Sequence, residues 1–141
     1  VKGFALENYL PYQLVVAADR VSRDVHRLFQ SRFGITIPEW RVLAHLGQVD
    51  AVSVREIHAK VDMDKSKVSR AAARLEAQGY VTKKVHPVDR RLVELTLTES
   101  GRAVLDQLLD AAREVEAQIT AEIGEGVEDF QTALLRLIAR G

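Results

Sequence analysis

Residues 62–101, DMDKSKVSRAAARLEAQGYVTKKVHPVDRRLVELTLTESG, leave the chain few folds to choose from, because they switch once from helical to alternating periodicity. Val68, Ala72 and Leu75 recur at helical spacing with Ala71 beside them, and Asp62 or Asp64 can cap the start. Gly79 is placed to close that helix as its C′ residue. Residues 80–85 then alternate apolar with polar, residues 86–91 (His-Pro-Val-Asp-Arg-Arg) read as a turn, and residues 92–97 return with Leu or Val at nearly every other place. The expected unit is a helix that runs directly into a two-stranded hairpin.

The polar face of that helix has an uncommon composition. At about 100° per residue, Ser66, Ser69, Arg70 and Ala73 lie opposite Val68 and Leu75, flanked by Lys65, Lys67 and Arg74. A solvated helix face more often mixes Glu and Lys at i,i+4 spacing. Small residues let a helix approach base edges closely in a major groove; Arg70 can fork onto a guanine while the serines reach bases or phosphates. The hairpin tip carries Arg90 and Arg91 beside Asp89, and an Asp two residues before an Arg can hold its guanidinium in one orientation, suited to a narrow, electronegative minor groove. Lys83 and Lys84 on the first strand, with Lys65, Lys67 and Arg90, are expected to neutralise phosphates. A groove-reading helix followed by a cationic hairpin is the layout of a winged helix-turn-helix.

The rest of the chain supplies a helical scaffold. Pro11 can start a long first helix running to about Phe33, where Gly34 ends it; Thr36 caps a second, with Pro38 in its first turn and Trp40, Leu43, Leu46 and Val49 inward. Ser53 and Glu56 form a capping box for a short third helix over 54–61. Thr98 caps a long fifth helix whose apolar stripe includes Leu108, Leu109 and Ile119. Gly124 and Gly126 break it before a last helix with Phe130, Leu134, Leu137 and Ile138 inward. The fold class expected is mainly α with a small β-hairpin wing, one domain over 1–141, its DNA-binding part at 36–98.

The helices outside that part, at 5–34 and 99–141, carry more apolar surface than a small core can cover, which points to a two-fold dimer with Leu14, Val21, Leu108, Leu109, Ile119, Phe130, Leu134 and Leu137 at its interface. Charge is distributed to match. The net charge is zero, yet residues 55–98 hold ten Lys and Arg against six Asp and Glu, while residues 99–141 hold four against nine. The positive field sits where the helix and hairpin lie.

Other chemistry finds little support. The chain has no cysteine, hence no disulfide, thiol switch or thiolate zinc site. Asp62-x-Asp64-x-Ser66 opens like a calcium loop, but Lys67 replaces the sixth-place Gly and Ala73 the twelfth-place Glu. His26, His45, His58 and His86 share no zinc-protease spacing, and no nucleophile elbow, P-loop or dinucleotide fingerprint occurs. No catalytic residue, metal or cofactor is expected. Apolar content of 47% and charged content of 28% describe an ordinary globular chain; no membrane span or signal peptide is seen, so the expected location is the cytoplasm, at the nucleoid.

The chain resembles the MarR family of winged-helix transcriptional regulators. The resemblance rests on ITIPEWRVLAHL at 35–46, SVREIHAKVDMDKSKVSRAAARLEAQGYV at 53–81 and PVDRRLVELTLTESG at 87–101, with the D-x-R wing element at 89–91 and the L-T-x-x-G junction at 97–101. It implies a homodimer on a pseudo-palindromic operator, acting as a repressor of nearby genes and released by a small molecule of aromatic or acidic character. The effector would bind where the dimerisation helices meet the winged helix, a junction that Tyr12, Val16, Arg20, Trp40, Arg41, Leu43 and His45 could line. One position departs: the family's wing often has an acid before the proline, where this chain has His86. The alternative is a ligand-binding or interaction module that keeps the winged fold without operator binding.

Overall fold

The computed structural model describes residues 2–49 and 51–140. A 3-10 turn at Leu6–Asn8 leads into α1 (Leu10–Phe33), with Pro11 in the first turn, where its missing N–H has no partner to lose. Gly34, at φ 64°, stops α1: its N–H donates to the Gln30 carbonyl at 3.1 Å, and the Ile35 N–H reaches back to Phe29. In α2 (Ile37–Leu46) the Thr36 hydroxyl accepts from the Glu39 N–H at 3.3 Å and donates to the Glu39 carboxylate, so cap and first-turn acid satisfy each other.

A two-residue strand, β1 (Val52–Ser53), runs directly into α3 (Val54–Lys60), with Ser53 accepting from the Glu56 N–H at 3.1 Å. Asp62, at φ 52°, turns the chain towards α4 (Lys65–Ala77), whose cap is Asp64: its carboxylate accepts from the Lys67 N–H at 2.8 Å. Gly79 closes α4 in the left-handed conformation, and β2 (Val81–Val85) and β3 (Val93–Leu97) form the hairpin. Thr98 caps α5 (Glu99–Ile123), which passes through a 3-10 turn at Gly124–Gly126 into α6 (Val127–Ala139).

The sheet is antiparallel in the order β1-β3-β2, with Val52 opposite Leu95 and Lys83 opposite Leu95 on its other side. Its inner face meets Val42, Leu43 and Leu46 of α2, Ile57 of α3, and Val68, Ala72 and Leu75 of α4 in one core, which Phe29, Ile35, Leu105 and Leu108 extend towards α1 and α5. The wing is fixed to the end of α4 at one junction. Thr98 donates to the Gly79 carbonyl at 2.6 Å, accepts from the Gly101 N–H at 3.0 Å, and gives its own N–H to Tyr80 at 3.0 Å. The backbones come so close here that a Cβ on Gly101 would lie 2.0 Å from the Tyr80 carbonyl oxygen. That contact is why the L-T-x-x-G segment ends in glycine.

The expected helices, caps and hairpin are all present, the strands beginning one residue later than their alternation suggests. Several expectations need correcting. β1 was not anticipated, since two residues carry no readable period. Val49, expected inward, is exposed beyond the end of α2. Leu108, expected at a dimer interface, is fully buried in its own chain's core. Phe130, Leu137 and Ile138, expected inward on the last helix, are exposed, because α6 buries none of its residues within the protomer.

Candidate nucleic-acid interface

The buried stripe of α4 (Val68, Ala71, Ala72, Leu75) fixes its rotation on the core, so Lys65, Ser66, Lys67, Ser69, Arg70 and Arg74 all face outward. Arg70 has a clear path to an approaching surface, with small side chains at Ser66, Ser69 and Ala73 around it. Arg74 is tethered: its guanidinium lies 3.8 Å from the buried Glu39 carboxylate of α2, which ties the far end of the helix to the scaffold. Glu39 in turn has the Thr36 hydroxyl as partner, so this buried charge is hydrogen-bonded as well as paired.

Between α4 and the wing runs a cleft of about 250 Å³, lined among others by Ser53, Arg55, Lys65, Ser69, Lys83 and Arg91. Four cations thus converge on one concave surface. Arg55 is the residue that sequence reasoning missed. It lies in the first turn of α3, where a cation opposes the helix dipole, and that local disadvantage is the signal by which an external anion could have been suspected. Lys83 and Lys84, grouped together from sequence, project to opposite faces of the hairpin. Lys83 is half-buried and pairs with Glu76 at 3.6 Å, steadying the wing against α4, whereas Lys84 is exposed and sits across from Glu94.

The wing tip is internally braced. Arg91 donates to Asp89 twice from its side chain, at 3.0 and 3.3 Å, and once from its backbone N–H at 3.1 Å. The Arg91 guanidinium, and next its backbone N–H, hold the Asp89 carboxyl below the ordinary aspartate range, with Arg55 and His86 contributing at longer reach. Arg91 is nonetheless 87% exposed, so its charge is oriented without being withdrawn from the surface. Arg90 beside it is exposed too. His86 opens the turn: its Nδ1 accepts from the N–H groups of Val88 at 3.1 Å and Asp89 at 3.0 Å, and its Nε2 faces Glu94 at 3.4 Å.

The residues named for an effector pocket do not form one site. Tyr12, Val16 and Arg20 line a cavity of about 630 Å³ between α1 and α5. Trp40 lines a neighbouring, mostly apolar cavity of about 540 Å³ with Phe29, Val25 and α6 residues including Phe130. The two share Val21, Val115 and Ile119 as walls. Leu43 is fully buried in the core and lines neither, and Arg41 and His45 also lie outside both. Among the described residues no three His, Asp or Glu side chains converge as a metal site, and no helix is long and apolar enough to cross a membrane.

Three helices around a short sheet, with a small-faced cationic helix and an arginine-tipped hairpin on one side, define a winged helix-turn-helix protein of the DNA-binding class. Comparison with known proteins narrows this. The model of the MarR family matches residues 33–92. The organic hydroperoxide resistance transcriptional regulator of Bacillus subtilis is 25% identical over 133 residues, spanning 94% of this chain and 89% of that protein. The solved structure of a MarR/EmrR-family regulator from Acinetobacter sp. ADP1 matches with a TM-score of 0.82 at 27% identity, over 97% of this chain and 96% of that one. Bordetella bronchiseptica BpsR, whose DNA binding is regulated by 6-hydroxynicotinic acid, shares the fold with a TM-score of 0.86 at 21% identity over 98% of each chain. Over residues 33–92 the chain is similar to the MarR family of transcriptional regulators, and the proteins it resembles are regulators rather than enzymes.

Proposed function

We propose that the protein acts in the cytoplasm, at the nucleoid, as a homodimeric repressor that sits on a pseudo-palindromic operator and is released by a small molecule. The observation that carries the DNA-binding mode is the single surface shared by the α4 outer face, the cleft cations Arg55, Lys65 and Lys83, and the wing arginines. On this reading α4 enters the major groove, Arg70 contacts a base, and Arg91 enters the flanking minor groove. The dimer reading is supported by apolar side chains that the protomer leaves uncovered, among them Leu135 and Ile138 of α6 and Leu10 and Val15 of α1.

The effector reading is supported by the paired cavities. An aromatic acid could lay its ring against Trp40 and Phe29 and turn its carboxylate past Ile119 towards Arg20. A thiol-based response is closed to a chain without cysteine. Selection of bound fragments from genomic DNA tests the proposal. It should recover a two-fold-related sequence near the regulated genes, bound at least a thousandfold more tightly than random DNA. Equal affinity for all fragments would leave the winged fold as an interaction or ligand-binding module instead.

A further inference from the structure

We propose that His86 is the positioning residue of the wing, and that it makes DNA binding depend on pH through the wing alone. The site is the turn at residues 86–91, which holds Arg91 in place. A turn of this kind needs an acceptor at its first residue to collect the N–H groups inside it, a task that Asp and Asn side chains perform well. Here an imidazole performs it. Nδ1 faces two fixed backbone donors, the N–H groups of Val88 and Asp89, at 3.1 and 3.0 Å. A ring nitrogen between two donors cannot itself carry a proton, so the folded turn requires the neutral tautomer with its hydrogen on Nε2, directed at Glu94.

The consequence runs from the ring to the groove. The Asp89 N–H held by His86 belongs to the residue whose carboxylate fixes Arg91. Protonation puts a hydrogen on Nδ1 facing two other hydrogens, and the turn must open to relieve the conflict. Arg91 then loses its aim while keeping its charge. Imidazole is the side chain that changes charge between about pH 5 and 8. The groups that face it are mixed in sign. They are Glu94 on β3, whose carboxylate faces Nε2, and Asp89 in the turn, with Arg91 and Arg55 of α3, both acting on Asp89, and Lys84 of β2, paired in register with Glu94, as the cations around them. Loss of two hydrogen bonds corresponds to roughly a tenfold change in an equilibrium.

This inference rests on reading the wing as a DNA contact, and the test separates the two. Its first arm uses the free protein. Nitrogen NMR of His86 and the amide signals of Val88 and Asp89 are followed from pH 8 to 5.5. Nδ1 should be unprotonated at pH 8, and the two amides should shift together as the ring titrates. In His86→Asn, whose side-chain oxygen accepts without titrating, they should stay still. Amides that ignore the ring, or an Nδ1 carrying the proton at pH 8, would overturn the proposal.

The second arm measures affinity for the recovered operator. Wild type should weaken about tenfold from pH 8 to 5.5 on A·T-rich flanks. His86→Asn should match wild type at pH 8 and stay flat, and His86→Ala should be weak throughout. His26, His45 and His58 remain in every variant, so a pH slope that survives in His86→Asn belongs to them and refutes the assignment to His86. A first arm as expected, with no effect in the second, would instead refute the wing contact.

Discussion

At Gly101 the fold depends on the absence of a single carbon. The Thr98 hydroxyl, the Gly79 carbonyl and the Tyr80 backbone meet there, and any Cβ on residue 101 would be driven into the Tyr80 carbonyl oxygen at 2.0 Å. Backbone on both sides leaves nothing flexible to yield. Gly101→Ala should therefore cost about 3 kcal/mol or more, as overpacking does at its upper range, although alanine is the better helix former. Denaturant unfolding reads it; a variant as stable as wild type would mean that the wing junction is looser than described. The caps at Thr36, Ser53, Asp64 and Thr98 were legible in the sequence because each is a local pattern, a side-chain acceptor three residues before the N–H it serves. The role of His86 was not legible. The missing acid could be seen, but the pair of N–H groups that an imidazole nitrogen collects exists only once the turn is folded.

Helix α4 illustrates how far periodicity carries an element. The four buried positions of α4 follow from its apolar spacing, and its outward face follows from them. What periodicity cannot supply is the neighbour across the cleft, so Arg55 went unnoticed and Lys83 and Lys84 were grouped although alternation sends them to opposite sides. Arg74 is likewise partly committed to Glu39, which leaves Arg70 as the guanidinium on the outward face of α4 that is not paired among the described residues. Arg70→Ala should weaken operator binding by about 1–3 kcal/mol and relax preference at one base position in each half-site. Competition between the operator and single-base variants reads this directly. Equal losses on operator and random DNA would reduce Arg70 to a phosphate contact.

For the whole molecule, the helices at either end of the chain are the part least satisfied by their own protomer. No residue of α6 is fully buried, and the exposed apolar residues of α1 and α6 are the surface that the proposed dimer would cover. Leu108 was assigned to that surface and lies in the core instead, since one apolar stripe on α5 serves both ends of the helix and spacing does not say where the core stops. Leu134 lies half-buried beside the uncovered residues. Leu134→Glu should weaken association roughly a hundredfold or more through an unpaired carboxylate, read by sedimentation with circular dichroism as a check on folding. A folded, fully dimeric variant would place the interface elsewhere. On the proposed reading, α4 and the wing together form one DNA-reading face, presented twice by the dimer. Hydroxyl-radical footprinting on the recovered operator should show two symmetry-related protected patches about one helical turn apart, each extended by a minor-groove flank that disappears in Arg91→Ala. A single unsymmetrical patch, or flanks unchanged by that substitution, would contradict it.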